Sequence, residues 1–258
     1  MTLTVATWNI NSIRARLDRL VAWLERCAPD VVCLQETKVE EEKFPALELE
    51  GVGYRAAIYG QKSYNGVAIL SRSDPIDVER GLGDGTEDGE ARLVAATVSG
   101  VRIVSAYVPL GTAVGTERWM YKLEWFTRLR NYLDARHAPT ERVLVCGDLN
   151  VAPEDRDVAR PDEWAASVLC HETAREAFRR LTQWGLVDTM RIHDDGPGPF
   201  SWWDYRMLAF PKGNGLRLDH ILATQPMAER LRAAYVDRDE RKGKKPSDHA
   251  PVLAVFDI

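Results

Sequence analysis

Residues 92–108, Arg92-Leu93-Val94-Ala95-Ala96-Thr97-Val98-Ser99-Gly100-Val101-Arg102-Ile103-Val104-Ser105-Ala106-Tyr107-Val108, contain two apolar strand runs with only Ser99-Gly100 between them. No helix fits in that gap. The runs 92–98 and 101–108, together with the earlier helix-free run 66–71, are therefore expected to be antiparallel neighbours. Similar runs recur at 3–8, 31–35, 142–147, 217–223 and 252–257. Amphipathic helices lie between some of them. Ile13, Leu17, Leu20, Val21 and Leu24 repeat at helical spacing, as do Trp119, Leu123, Phe126, Leu129 and Leu133, and Ala174, Phe178, Leu181 and Trp184. Such stripes face a core. The pattern predicts an α/β fold, a four-layered α/β sandwich of two packed mixed β-sheets flanked by helices.

The chain has 258 residues, 45% hydrophobic and 28% charged, which suits one globular domain over 1–258. No Pro/Gly/Ser-rich linker divides it, and the acidic, glycine-rich stretch Gly81–Glu90 reads as a surface loop. No stretch approaches the ~18 to 20 apolar residues of a membrane span, so no membrane partner is expected. The N-terminus reads as a strand from Leu3 onward, without a signal peptide. Cys27, Cys33, Cys146 and Cys170 show no Cys-x-x-Cys spacing, and Cys33 and Cys146 fall inside apolar runs. Buried free thiols and a cytoplasmic setting are expected.

Net charge is -5, which gives nucleic-acid binding no global support. Basic residues nevertheless cluster: Arg14, Arg16 and Arg19; Lys122, Arg128 and Arg130; and Arg238, Arg241, Lys242, Lys244 and Lys245. Each cluster alone reads as a solvated helix face or a loop. Several would have to converge to make a phosphate-binding surface.

Polar residues close each strand run. They are Asn9 and Asn11, then Glu36 and Lys38, Tyr107, Asp148 and Asn150, Asp219, and finally Asp248-His249. Strand ends display side chains rigidly into a cleft. The set is rich in oxygen ligands and lacks zinc spacing, so a hard cation such as Mg²⁺, or Mn²⁺ in its place, is favoured. Carboxylates around such a cation, beside an imidazole and a phenol, suit phosphodiester hydrolysis. Taken singly, Asn9 or Asn11 reads as a turn residue, Asp219 as a cap, and Tyr107 as a strand aromatic. Glu36 and Asp148 resist that reading, because each follows a buried-type run where an ionised carboxylate is expensive without a partner.

The ordered motifs Trp8-Asn9-Ile10-Asn11, Leu34-Gln35-Glu36-Thr37-Lys38, Gly147-Asp148-Leu149-Asn150, Gly215-Leu216-Arg217-Leu218-Asp219 and Pro246-Ser247-Asp248-His249-Ala250-Pro251 resemble the exonuclease III family of abasic-site (AP) endonucleases. That family belongs to the endonuclease/exonuclease/phosphatase superfamily, and the resemblance covers essentially the whole chain. It implies that Glu36 holds the metal, with Asn9 and Asp248 nearby. Asp148 would orient and deprotonate the attacking water, and Asn150 would fix it. His249, oriented by Asp219, would donate to a phosphate oxygen, and Tyr107 would bind the scissile phosphate. Which of Asp148, Tyr107 and His249 moves which proton stays open.

The same resemblance implies DNA contacts from Asn11, Arg14, Lys38, Trp202, Arg206, Met207 and Lys245. Trp202 or Trp203 would cover a flipped-out abasic sugar, and by alternation only one can face the site. The loop Arg206–Gly215 would press into the minor groove through Met207 and Phe210, unless Phe210 folds back on the domain. Lys244 and Lys245 would lie near the cleft. After Tyr107-Val108-Pro109 the family often carries Asn or Gln, and here Leu110 stands in that place. The balance between abasic incision and exonuclease action is open on that account.

The expected activity is Mg²⁺-dependent DNA repair. It would incise 5′ to abasic sites, with 3′→5′ exonuclease and 3′-end cleaning, on double-stranded DNA carrying abasic sites or blocked 3′ ends. Nothing demands more than a monomer. The rival readings are an exonuclease with little abasic incision, a non-catalytic DNA-binding regulator, and a phosphatase of inositol phosphates or phospholipids.

Overall fold

The interior strands are apolar on both faces because each sheet is covered twice, by the other sheet and by helices. The computed structural model describes residues 2–86 and 89–258. Glu87 and Asp88, part of the loop expected over 81–90, lie outside the described residues. The strands described are β1 (Thr2–Asn9), β2 (Val31–Gln35), β3 (Arg55–Tyr59), β4 (Val67–Ser71), β5 (Ile76–Arg80), β6 (Leu93–Val98), β7 (Val101–Tyr107), β8 (Val143–Asp148), β9 (Leu186–Asp188), β10 (Asp219–Thr224), β11 (Leu231–Val236) and β12 (Val252–Asp257).

They form two six-stranded sheets, ordered β11-β12-β1-β2-β4-β3 and β5-β6-β7-β8-β10-β9. Each sheet has one parallel pair, β1 with β2 and β7 with β8, flanked by antiparallel neighbours. Helices Ile13–Cys27 and Glu117–Arg136 cross over between the partners of these pairs, as parallel neighbours require. The two mixed sheets with outer helices match the expected architecture. The run 66–71 is a correction: as β4 it pairs with β2 and β3, whereas β6 and β7 pair with each other in the second sheet. The chain changes sheets between Ser71 and Ile76. Doubly buried strands look alike in either sheet, so the apolar pattern could not assign it.

Between the sheets pack Val5, Val31, Cys33 and Ile69 from one side and Ile103, Leu144, Cys146 and Ile221 from the other. Trp8, Ile13, Leu20, Trp23 and Leu24 fill the outer face of the first sheet. Val104, Val145, Phe126, Leu129 and Phe178 fill that of the second. Cys33, Cys146 and Cys170 are buried free thiols, and Cys27 is half-buried. No helix among the described residues is long and apolar enough to cross a membrane.

Part of each basic cluster is held by the protein itself. Arg19 donates to the Glu240 carboxylate and to the carbonyls of Lys242 and Lys244, so the first cluster fastens the third in place. Arg241 is buried and donates to the carbonyls of Ser247 and Trp203. Lys122 and Arg128 are buried in the mid-chain helix, with Arg128 on Asp84. Arg14, Arg238, Lys242, Lys244 and Lys245 of these clusters are exposed, with Lys242 paired to Asp239.

Candidate active site

Side chains alternate between the faces of a strand, and that period delivers the site. The inner line of β1 runs Leu3, Val5, Thr7, Asn9, and that of β7 runs Ile103, Ser105, Tyr107. Those of β8 and β10 lead from Leu144 and Cys146 to Asp148, and from Ala223 and Ile221 to Asp219. The C-terminal ends of the parallel strands and the start of antiparallel β10 thus meet at one end of the sandwich. Beneath them Gln35 joins the sheets, donating to Thr7 Oγ1 at 3.0 Å and Ser105 Oγ at 3.3 Å. This buried polar floor separates the site from the apolar core.

Asp148 and Asp219 face each other in the β8–β10 register. His249 stands between them, with Nδ1 2.8 Å from Asp219 Oδ2 and Nε2 3.7 Å from Asp148 Oδ2. Ser201 fixes the second carboxylate, donating to Asp219 Oδ2 at 2.6 Å while accepting from the main-chain N–H groups of Leu218 and Asp219. Burial works against the imidazolium, but Asp219 and then Asp148 hold it and push it up to about 10. Asp148 is raised, because burial and Asp219 outweigh the attraction of His249 and the hydrogen bonds from Asn9 and Asn150. A carboxylate raised in this way is a base poised nearer neutral pH than an exposed aspartate.

Across the cleft, Asn9 Nδ2 donates to Glu36 Oε1 at 2.8 Å and to Asp148 Oδ2 at 2.9 Å, bridging the two carboxylates. Tyr107 Oη donates to Glu36 Oε1 at 3.0 Å. Burial, reinforced by Glu36 and Asp148, raises Tyr107 well above the ordinary phenol range, so it stays a donor. Arg92 lies 4.7 Å from its ring centre. Burial alone would raise Glu36, but Lys38 and Asn9 outweigh it and the carboxyl is lowered. Asn150 donates its N–H to Asp148 Oδ1 and its Nδ2 to the Val108 carbonyl, both at 2.9 Å. Gly147 precedes Asp148 because a Cβ there would sit 1.8 Å from the Ala106 carbonyl oxygen.

The expected metal ligands are arranged unequally. Glu36 Oε2 carries the Lys38 ammonium at 2.7 Å, and the same ammonium donates to Asn11 Oδ1 at 2.6 Å. A positive group already sits among oxygens there, which fits a hard cation. Asn9 turns its nitrogen to the carboxylates and its oxygen to the Asn11 N–H. Asp248 is reached through Asn11 Nδ2 at 2.9 Å and Trp202 Nε1 at 3.1 Å. Asp148, Asp219 and His249 present ligand atoms within 4.8 Å of one another. The imidazole there is committed to Asp219 and kept protonated, so that trio reads as an acid–base line. Asp219 Oδ1 is buried with no hydrogen-bond partner.

Of the residues expected at DNA, Trp202 faces the site and packs edge-on against Trp164 at 5.7 Å, whereas Trp203 is core. Met207 is 82% exposed and Leu208 67%, both in left-handed backbone. Phe210 is not part of that tip. It packs edge-on against Trp203 at 5.2 Å, which corrects its place in the wedge. Arg14, Arg206 and Lys245 are exposed. Sequence reading missed Ser201 and the Thr7–Gln35–Ser105 floor. It also missed His220, whose Nδ1 accepts from Arg217 so that Nε2–H donates to the Val151 carbonyl. The signal for Gln35 was its place in the motif Leu34-Gln35-Glu36-Thr37-Lys38, and for Ser201 its place beside Trp202.

The family model "Endonuclease/Exonuclease/phosphatase family" matches residues 6–249, and the chain belongs to that family. It is 36% identical to an exodeoxyribonuclease III of Haemophilus influenzae, over 97% of this chain and 98% of that protein. The structure of an AP endonuclease from Archaeoglobus fulgidus superposes with a TM-score of 0.96 at 43% identity, covering 99% of this chain and 100% of the other. A 3′ phosphatase from Neisseria bound to a product DNA hairpin gives 0.95 at 39% identity, with coverage of 99% and 100%. The protein is a hydrolytic nuclease.

Proposed function

We propose that this nuclease hydrolyses the DNA phosphodiester 5′ to abasic sites and leaves a 3′-hydroxyl, with 3′→5′ exonuclease and 3′-end cleaning as companion activities. The observation that carries the reading is the buried line Asp219–His249–Asp148 facing Glu36 and Tyr107 across a cleft. Glu36 would hold Mg²⁺ or Mn²⁺, with Asn9 and Asp248 nearby, directly or through water. The ion would neutralise phosphate charge when bound. Asp148 takes the proton of the attacking water, and Asn150 positions that water. His249 donates to a non-bridging phosphate oxygen, with its charge held by Asp219. Tyr107, kept protonated, hydrogen-bonds the phosphate.

The substrate is double-stranded DNA with an abasic site or a blocked 3′ end, bound by one copy of the chain. Trp202 would pack on the baseless sugar, and Met207 with Leu208 would press into the minor groove. Asn11, Arg14, Lys38, Arg206 and Lys245 would meet phosphates. A second reading, chiefly exonuclease, rests on Leu110, which is 49% exposed just past Tyr107 and whose apolar side chain cannot hydrogen-bond a phosphate. The test is the chemistry of the product. Strands cut at an abasic site are offered to a DNA polymerase without further processing. Direct extension marks a 3′-hydroxyl and hydrolysis 5′ to the site; ends that cannot be extended contradict the proposal.

A further inference from the structure

Lys122 lies in helix Glu117–Arg136 among Trp119, Phe126 and Leu129, and its side chain is completely buried. Removing an ammonium from water is costly, and an apolar side chain of similar volume would fill this place more cheaply. Its Nζ donates to three main-chain carbonyls: Val168 at 2.6 Å, Asn150 at 2.7 Å and Leu110 at 3.3 Å. Three acceptors match the three N–H groups of an ammonium; a neutral amine supplies only two. Burial outweighs the pull of Asp148 and Cys170 and brings the group down to about 7.

The three carbonyls belong to three different segments. Leu110 follows Tyr107 at the end of β7, and Asn150 follows Asp148 at the end of β8. Val168 lies in the stretch that packs with Trp164 and Trp202. Asn150 is in left-handed backbone, at φ +50°, a conformation a non-glycine residue keeps only when its surroundings hold it. Its N–H and Nδ2 are bound to Asp148 and Val108, so the carbonyl on Lys122 is the third restraint. Gly111 is fitted to the same knot, since a Cβ there would come within 3.1 Å of Lys122 Cδ.

We infer that Lys122 is a positioning residue, whose ammonium ties the Leu110, Asn150 and Val168 segments into one rim and thereby sets where the Asn150 amide stands beside Asp148. It touches neither substrate nor metal and acts through Asn150. The inference rests on the nuclease reading above.

The experiment compares wild type, Lys122→Met, Lys122→Gln and the core control Leu129→Ala, each measured for Tm and for kcat and KM on an abasic duplex. Both Lys122 variants are expected to fold and to lose kcat, by about 10²-fold for Met, with KM within about threefold. Leu129→Ala should lose at least as much Tm as either Lys122 variant, with kcat unchanged. Near wild-type kcat in either folded Lys122 variant would overturn the inference. So would a kcat loss equal to that of Leu129→Ala, or failure of both Lys122 variants to fold, which reduces the residue to a folding requirement. Absence of cleavage by wild type would instead overturn the nuclease reading.

Discussion

His249 reaches two aspartates that are cross-strand partners, with Nδ1 2.8 Å from Asp219 on β10 and Nε2 3.7 Å from Asp148 on β8. One imidazole therefore ties together two buried carboxylates that would otherwise repel each other. That arrangement keeps the ring cationic, while burial opposes the ionisation of Asp148.

Asp148 is consequently predicted to trade stability for activity. Its carboxyl is raised by burial, so above neutral pH its ionised form destabilises the fold relative to the unfolded chain. Asp148→Asn should lower kcat by about 10²-fold or more, while Tm at pH 8 is unchanged or higher. Steady-state kinetics and thermal melts check both halves, and a variant with full turnover would remove Asp148 from the chemistry.

The His249–Asp219 pair should appear in the pH dependence of stability. The folded value, about 10, lies above the ~6.5 of an unperturbed imidazole. Its contribution is therefore complete below pH ~6.5 and is lost as pH rises toward 10. Between pH 7.5 and 10 the wild-type Tm should fall more than that of Asp219→Asn, where the charge partner is missing. Parallel curves for the two proteins would show that Asp219 does not hold the charge.

Glu36→Gln should weaken metal dependence rather than folding. The substitution removes the anion that pairs with Lys38 and would hold the cation. The Mg²⁺ concentration for half-maximal activity should rise about tenfold or more, with Tm little changed. A metal titration of activity reads this directly, and an unshifted midpoint would place the ion elsewhere.

The exposed tip and the folded aromatic of the 206–215 loop should separate cleanly. Met207→Ala with Leu208→Ala is expected to weaken abasic-duplex binding without lowering Tm. Phe210→Ala, which removes a ring packed on Trp203, should lower Tm. Fluorescence anisotropy and melts of the two variants decide it; unchanged affinity in the double variant would rule the wedge out.

The eight interior strands were legible because burial on both faces leaves continuous apolar runs. The four that escaped reading, β3, β5, β9 and β11, are the four edges of the two sheets. Edges such as Ile76–Arg80 and Leu231–Val236 are half-exposed, and charged residues (Asp77 and Glu79; Arg232) break them, so neither shows the continuous apolar run of a doubly buried strand. The site was legible for a related reason: Asn9, Glu36, Tyr107, Asp148 and Asp219 interrupt apolar runs at strand ends. What sequence could not convey is direction. The side on which the Asn9 amide turns, the Asn11 bridge to Asp248 and the buried ammonium of Lys122 depend on where separate strand ends meet.

The most direct test uses a 5′-labelled duplex carrying one tetrahydrofuran abasic analogue and the same duplex intact, each incubated with the protein in Mg²⁺ and in EDTA. The account predicts one Mg²⁺-dependent cut at the analogue, faster than degradation of the intact duplex, and none in EDTA. Laddering from the 3′ end without that cut, or no cleavage at all, would contradict it.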